Sequence, residues 1–314
     1  MVSRYYSPSG SYRADRFLIA VLVASLVALV PAYVYAWITT HFALIWARAF
    51  WIVGFTVAVG VIARDAMHRG HVRHSIAAAV GGTIVAVVAL FGSWAFWAAE
   101  LIGIYGEEPI SMFWFLLRPA ELFAFMAEAY AYSGIDIMSY GARATIEGDL
   151  LLMIWIGEAA MLLIPAVVMT YRGVSRRPYC EACGQWCSDR LELVEIDAIL
   201  TEQMRDMLED GRIAEVAALP RHVPGETFWF SLYMSECAGC GGFTTLSVDE
   251  TVLSIDDKGR GSKETKTIVE NLILQSHEVE VVRELRAERL ANISVASQDR
   301  SPVNVHSGSV GTDR

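Results

Sequence analysis

The chain has 314 residues, 54% of them hydrophobic, with a formal charge of −10 and a mean hydropathy of +0.38. That composition excludes an ordinary soluble globular protein and a basic, phosphate-binding one. The apolar excess lies before residue 172. From residue 178 onward 13 Lys and Arg stand against 24 Asp and Glu, so this part carries −11 and reads as an acidic, water-soluble domain.

Residues 1–16 hold Arg4, Arg13 and Arg16 ahead of an apolar stretch. That stretch is longer than the apolar core of a secretory leader and has no clean A-x-A site behind it, so it reads as a retained anchor. Four segments then have the roughly 20 apolar residues a bilayer crossing needs: 17–38, 42–63, 75–98 and 150–171. Arg4, Arg13 and Arg16, then Arg64, Arg69 and Arg73, then Arg172, Arg176 and Arg177 all fall on one side of four crossings. Arginine beside a span is retained in the cytoplasm, so both termini are expected there.

The opposite side receives a loop of residues 99–149. Its apolar patch at 110–126 is interrupted by Arg118, Pro119 and Glu121, and is expected as two short interfacial helices broken near Pro119 and not as a fifth span. Arg48 and Glu158 lie well inside spans, where an ionisable group costs at least about 2.5 kcal/mol unless paired or hydrated. Their depths agree, so an ion pair is expected, either as a fixed contact between helices or as part of a polar site for a proton, ion or lipid headgroup. Ala78, Gly82 and Ala86 form a small-residue stripe suited to close packing within the chain, or to a homo-oligomer face.

The strongest chemical signal is Cys180-Glu-Ala-Cys183-Gly184 matched by Cys237-Ala-Gly-Cys240-Gly241. A two-residue spacer lets both sulfurs face one metal, and the following glycine permits the tight turn that aims N–H groups at thiolates. Two such knuckles complete a four-thiolate site for a structural Zn2+ with no open position. Thioredoxin-like redox use is the rival, but no βαβ pattern surrounds either pair. Cys187 is left over, as a packed thiol or a substitute for Cys183.

Between the knuckles, Ile196, Ile199, Leu200, Met204, Met207 and Leu208 have helical spacing, with Gly211 as a stop and a shorter helix over 213–217. Strands are expected over 227–236, 242–248, 251–255 and 263–274, then a helix capped by Ser276 to about Ala291, then a disordered tail over 294–314. The basic residues Lys258, Arg260, Lys263 and Lys266 read as a solvated turn in an acidic domain, so no nucleic acid is expected as a partner.

The fold class is therefore an α-helical membrane bundle of four transmembrane helices (residues 17–171) plus a small α+β zinc-ribbon cytosolic domain (residues 178–293). Tyr6-Ser7-Pro8-Ser9-Gly10, the run 148–155 leading into Gly157-Glu158-Ala159, and the two knuckles resemble a family of uncharacterised bacterial inner-membrane proteins with a multi-helix N-terminal region and a cytosolic zinc ribbon. The resemblance implies that architecture and no activity. The leading expectation is a membrane-anchored adaptor, sensor or assembly factor with a cytosolic protein partner. A small transporter or channel using Arg48 and Glu158 comes next. An enzyme comes last, since no nucleophile, catalytic metal triad or phosphate loop is present.

Overall fold

The computed structural model describes residues 4–42, 45–105, 110–133, 135–139, 142–146, 148–197, 199–223, 225–255 and 261–298, with the backbone alone at 45–49, 105, 132–133, 135–139, 142–146, 255 and 292–298. The chain forms two compact units, one of residues Ser7–Tyr179 and one that joins Met1–Tyr6 to Cys180–Arg314.

In the first unit, helices α1 (Ala14–His41), α2 (Ile45–Arg69), α3 (Ser75–Tyr105) and α6 (Gly148–Arg176) are each long and apolar enough to cross a membrane. All four run past the C-terminal ends of the expected spans, and α1 and α6 also begin before them; α3 starts at the expected residue and α2 three residues after it. Polar residues at span ends continue the helix into the interfacial layer, where water satisfies the last backbone groups. Helices α1 and α6 each pack on both α2 and α3, closing a four-membered ring. On α1 the inward seam is small, with Ala24, Ser25, Ala28, Ala32 and Ala36 buried, while Leu18, Leu22, Leu26 and Val30 face outward. Small seams and large outward residues are what a bundle needs when lipid is as apolar as its own core.

The stripe on α3 has the same role. Ala78 and Ala86 are fully buried, and a Cβ at Gly82 would stand 2.4 Å from Thr170 Oγ1 and 3.1 Å from the Ala166 carbonyl oxygen. The stripe thus serves packing of α3 on α6 within the chain.

After α3 come α4 (Trp114–Leu117) and α5 (Pro119–Glu128), broken at Arg118 as expected, with Pro119 at the first helical position. Trp114 donates to Glu121 at 2.6 Å, and the Arg118 guanidinium lies 3.5 Å above the Trp114 ring. A π-helical turn, Ala129–Ser133, leads to an antiparallel pair, β1 (Ile135–Ser139) and β2 (Ala142–Ile146), which was not anticipated.

The second unit is built on an antiparallel sheet in the order β5-β6-β7-β8, with β5 at Leu191–Asp197, β6 at Phe228–Glu236, β7 at Thr244–Ile255 and β8 at Gly261–Ile273. Phe230, Leu232 and Met234 of β6, with Leu246 and Val248 of β7, face helices α7 (Thr201–Glu209), α8 (Ile213–Ala217) and α9 (Ser276–Gln298) in one core. Strand β5 replaces the start of the expected amphipathic helix. A register shift between Glu192 and Val194 puts both Leu193 and Ile196 in the core, and Ile196 continues the helical spacing of the apolar residues after it. The expected strands at 242–248 and 251–255 are one continuous β7. Helix α9 starts at Ser276, so the cap falls on Gln275, whose N–H donates to Glu278 Oε2 at 2.7 Å. It runs on to Gln298, past the expected end; the rest of the expected disordered tail, and the hairpin turn at 256–260, lie outside the described residues.

Residues 1–16 were expected to act as one flank of the first span. Instead residues 4–6 extend the sheet: Ile273 N–H donates to the Arg4 carbonyl at 2.7 Å and Tyr6 N–H to the Asn271 carbonyl at 2.9 Å. Arg4 makes two bonds to the buried Glu278 carboxylate, at 2.6 and 2.7 Å, and a third at 2.8 Å to the Glu209 carbonyl, one of the unpaired carbonyls ending α7. Gly211 sits beside this cluster at φ +80, where a Cβ would lie 2.9 Å from Glu278 Oε1. Tyr5 donates to Glu209 at 2.6 Å, and burial together with that bond pushes its phenol up to about 12.

Two outcomes are expected. Arg4→Ala leaves Glu278 buried without its cation and should cost about 2 kcal/mol, read from urea unfolding of the second unit in the full-length chain. Gly82→Val should lower the melting temperature in detergent, whereas Gly54→Ala, where a Cβ meets nothing within 4 Å, should leave it unchanged or raised.

Candidate metal centre

The first knuckle is a tight hairpin, β3 (Tyr179–Cys180) paired with β4 (Gln185–Trp186). Gly184 N–H donates to the Cys180 carbonyl at 2.9 Å, with Gly184 at φ +65. The second knuckle repeats this geometry at the end of β6: Gly241 N–H donates to the Cys237 carbonyl at 2.9 Å, with Gly241 at φ +61. Both glycines occupy the left-handed region that a side chain would resist.

The sulfurs of Cys180, Cys183, Cys237 and Cys240 all lie within 4.8 Å of one another, and Cys180 and Cys240 are 3.8 Å apart. Four sulfurs held about 2.3 Å from a central ion in a tetrahedron are about 3.8 Å apart, the Cys180–Cys240 separation, so these four residues could hold a metal ion. Cys180 and Cys237 are buried, Cys183 is half-buried and Cys240 is exposed. Cys187 is fully buried in the same small cluster but is not one of the four. None of the five forms a disulfide.

The thiols differ in acidity. The Cys240 thiol is drawn down to about 7 by its hydrogen bond with Cys183 and by the Gly242 amide. Cys183 is pushed up to about 12, first by that same bond and then by burial, and burial also raises Cys180. One thiolate forms readily and further negative charge is opposed, which is the electrostatic condition a cation relieves.

Three contacts fix the knuckles in place. Ser188 N–H donates to the Glu236 carbonyl at 2.8 Å, and Ser188 Oγ accepts from Glu236 N–H at 3.1 Å, joining the first knuckle to β6. A Cβ at Gly239 would lie 3.3 Å from Cys183 Sγ, so the spacer of the second knuckle must stay small. Arg283 of α9 donates to the Gly241 carbonyl at 2.7 Å and pairs with Glu236, which Arg286 also reaches at 3.1 Å. The sequence carried a signal for this brace in the i, i+3 spacing of the two arginines and in Glu236 directly before Cys237.

The expected intramembrane pair is only half described. Glu158 is half-buried on α6 and accepts a hydrogen bond from Tyr35 on α1 at 2.8 Å; the Arg48 side chain lies outside the described residues. Tyr35 in turn stacks on Phe55 of α2, with ring centres 4.9 Å apart. Sequence reading missed this tyrosine because nothing in its spacing marks it as Glu158's partner.

Compared with known protein families, curated proteins and solved structures, the chain matches none.

Arg283→Leu removes the hydrogen bond that orients the Gly241 carbonyl and should weaken metal affinity about 10–100-fold, measured by chelator competition. Acidification should release the metal as protons compete for the thiolates, with Cys183→Ser releasing it at a higher pH than the native chain.

Proposed function

We propose that the chain is a membrane-anchored adaptor, sensor or assembly factor of a bacterial inner membrane, whose cytosolic zinc-ribbon domain docks a protein partner. The four-sulfur cluster carries this reading. A tetrahedral site closed by four thiolates has no position for water or substrate, so the ion acts by holding the two knuckles and the surface they present. Tetrahedral sulfur suits zinc or iron, and absorbance separates them, since zinc thiolate is colourless.

The membrane reading is supported by four helices of spanning length and by the arginines clustered at one set of their ends. Residues 4–6 belong to the same compact unit as residues 180 onward, which supports an even number of crossings with both flanks of the bundle on one side. A reducing cytosol keeps the thiols available for metal. Exposed Glu202, Asp206, Glu209, Asp210 and Glu215 on α7, α8 and the turn between them outnumber Arg205 and Arg212 there, a net acidic surface that suits a basic partner.

Metal analysis of the full-length chain should give one zinc ion per molecule. Cross-linking in native membranes should capture a partner that Cys183→Ser loses and Glu158→Gln keeps. If Glu158→Gln instead abolishes a substrate flux in liposomes while the zinc variant leaves it intact, the protein is a transporter and the adaptor reading fails.

A further inference from the structure

A groove with a cavity volume of about 590 Å³ runs between α1 and α2. It exists because the residues at its floor are too small to fill it: Ala20 and Ala24 on α1 face Ala66 and Gly70. The helices come close there, since a Cβ at Gly70 would lie 3.0 Å from that of Ala20 and 3.4 Å from the Arg16 carbonyl oxygen. Val23 and Val27 of α1 and Ile62 of α2 form the walls, with both valines about half exposed.

The polar lining is confined to one end, where Arg16, Asp65, Arg69 and His71 stand together. Arg69 is tied to Asp65 at 2.8 Å, and Arg16 has no ion pair among the described residues. Burial, then Arg16 and Arg73, lower the His71 pKa and keep its ring neutral. Among the lining residues, two arginines against one aspartate leave one net positive charge, the complement of one phosphodiester, and Arg73 beside His71 adds to it.

Length identifies the rest of the occupant. From Arg16 to Val27 the helix rises about 16 Å, close to the roughly 15 Å of hydrocarbon in one leaflet. A soluble anion would leave the valine walls unused, and a zwitterionic lipid would bring its ammonium against the arginines. We propose that this groove holds one anionic phospholipid, with its phosphodiester at Arg16 and Arg69 and an acyl chain along Val23, Val27 and Ile62.

The test is native mass spectrometry of the full-length chain in detergent with phosphatidylglycerol, phosphatidylcholine or inorganic phosphate. One phosphatidylglycerol should be retained per chain, preferred over phosphatidylcholine by about fivefold or more. Arg16→Gln, at an exposed position, should reduce retention about fivefold. Val23→Trp, which fills the groove from its lipid-facing wall, should abolish retention with the melting temperature unchanged. Equal retention of the two lipids overturns the proposal, as does native stoichiometry in Val23→Trp. Displacement by millimolar inorganic phosphate would assign the charge to a free anion and likewise overturn it.

Discussion

Four sulfurs from segments 60 residues apart must meet within a few ångströms, and the architecture of the second unit follows from that demand. The end of β6 delivers one pair and a separate hairpin delivers the other, so strand and hairpin cannot shift independently. Glu236 sits where β6 becomes a knuckle, and α9 reaches across to hold it with two arginines. The helix therefore has two tasks, closing the apolar core through Val279, Val282 and Leu285 and bracing the cysteine turn from its other face. Those guanidinium groups also bring positive charge towards the four sulfurs, which as thiolates would stay net negative even around a divalent ion.

The helical unit answers a different constraint, that hydrocarbon satisfies no polar group. Several of its hydroxyls turn back on their own helices: Thr39 donates to the Tyr35 carbonyl, Thr170 to that of Ala166 and Ser93 to that of Leu90. Other polar contacts instead join helices: Thr56 of α2 donates to the Met161 carbonyl of α6 at 3.1 Å, and Glu158 of α6 accepts from Tyr35 of α1. A carboxylate met by a phenol within a bundle fixes which faces of α1 and α6 meet, a specificity that apolar contacts alone provide weakly.

Where composition and local chemistry decide structure, the sequence was legible. The four long helices, the break at Pro119, the short helix Ile213–Ala217 and the cysteine knuckles all follow from residue type and spacing. Errors arose where a long-range partner overrides the local pattern. Ile196 at the end of β5 shares helical spacing with Ile199, Leu200 and Met204, so the end of a strand read as the start of a helix, and Ser276 yielded the cap to Gln275 because Glu278 is held in place by Arg4. That arginine had been assigned to the membrane flank, since nothing local reveals a partner 274 residues away. The brace by Arg283 and Arg286 left only a faint local trace, their i, i+3 spacing and Glu236 beside Cys237, which does not by itself pair the two segments.

The bridge that Tyr5 makes to Leu272 of β8 has a consequence for the order of assembly. The segment 4–6 leaves the ribosome long before β8, whose edge it completes, and the whole helical bundle is made in between. Until it docks, the end of β8 offers unpaired backbone donors and acceptors, an invitation to the wrong strand from a second molecule. The sheet edge can therefore be sealed only after β8 has been made, by a segment synthesised ahead of the whole bundle.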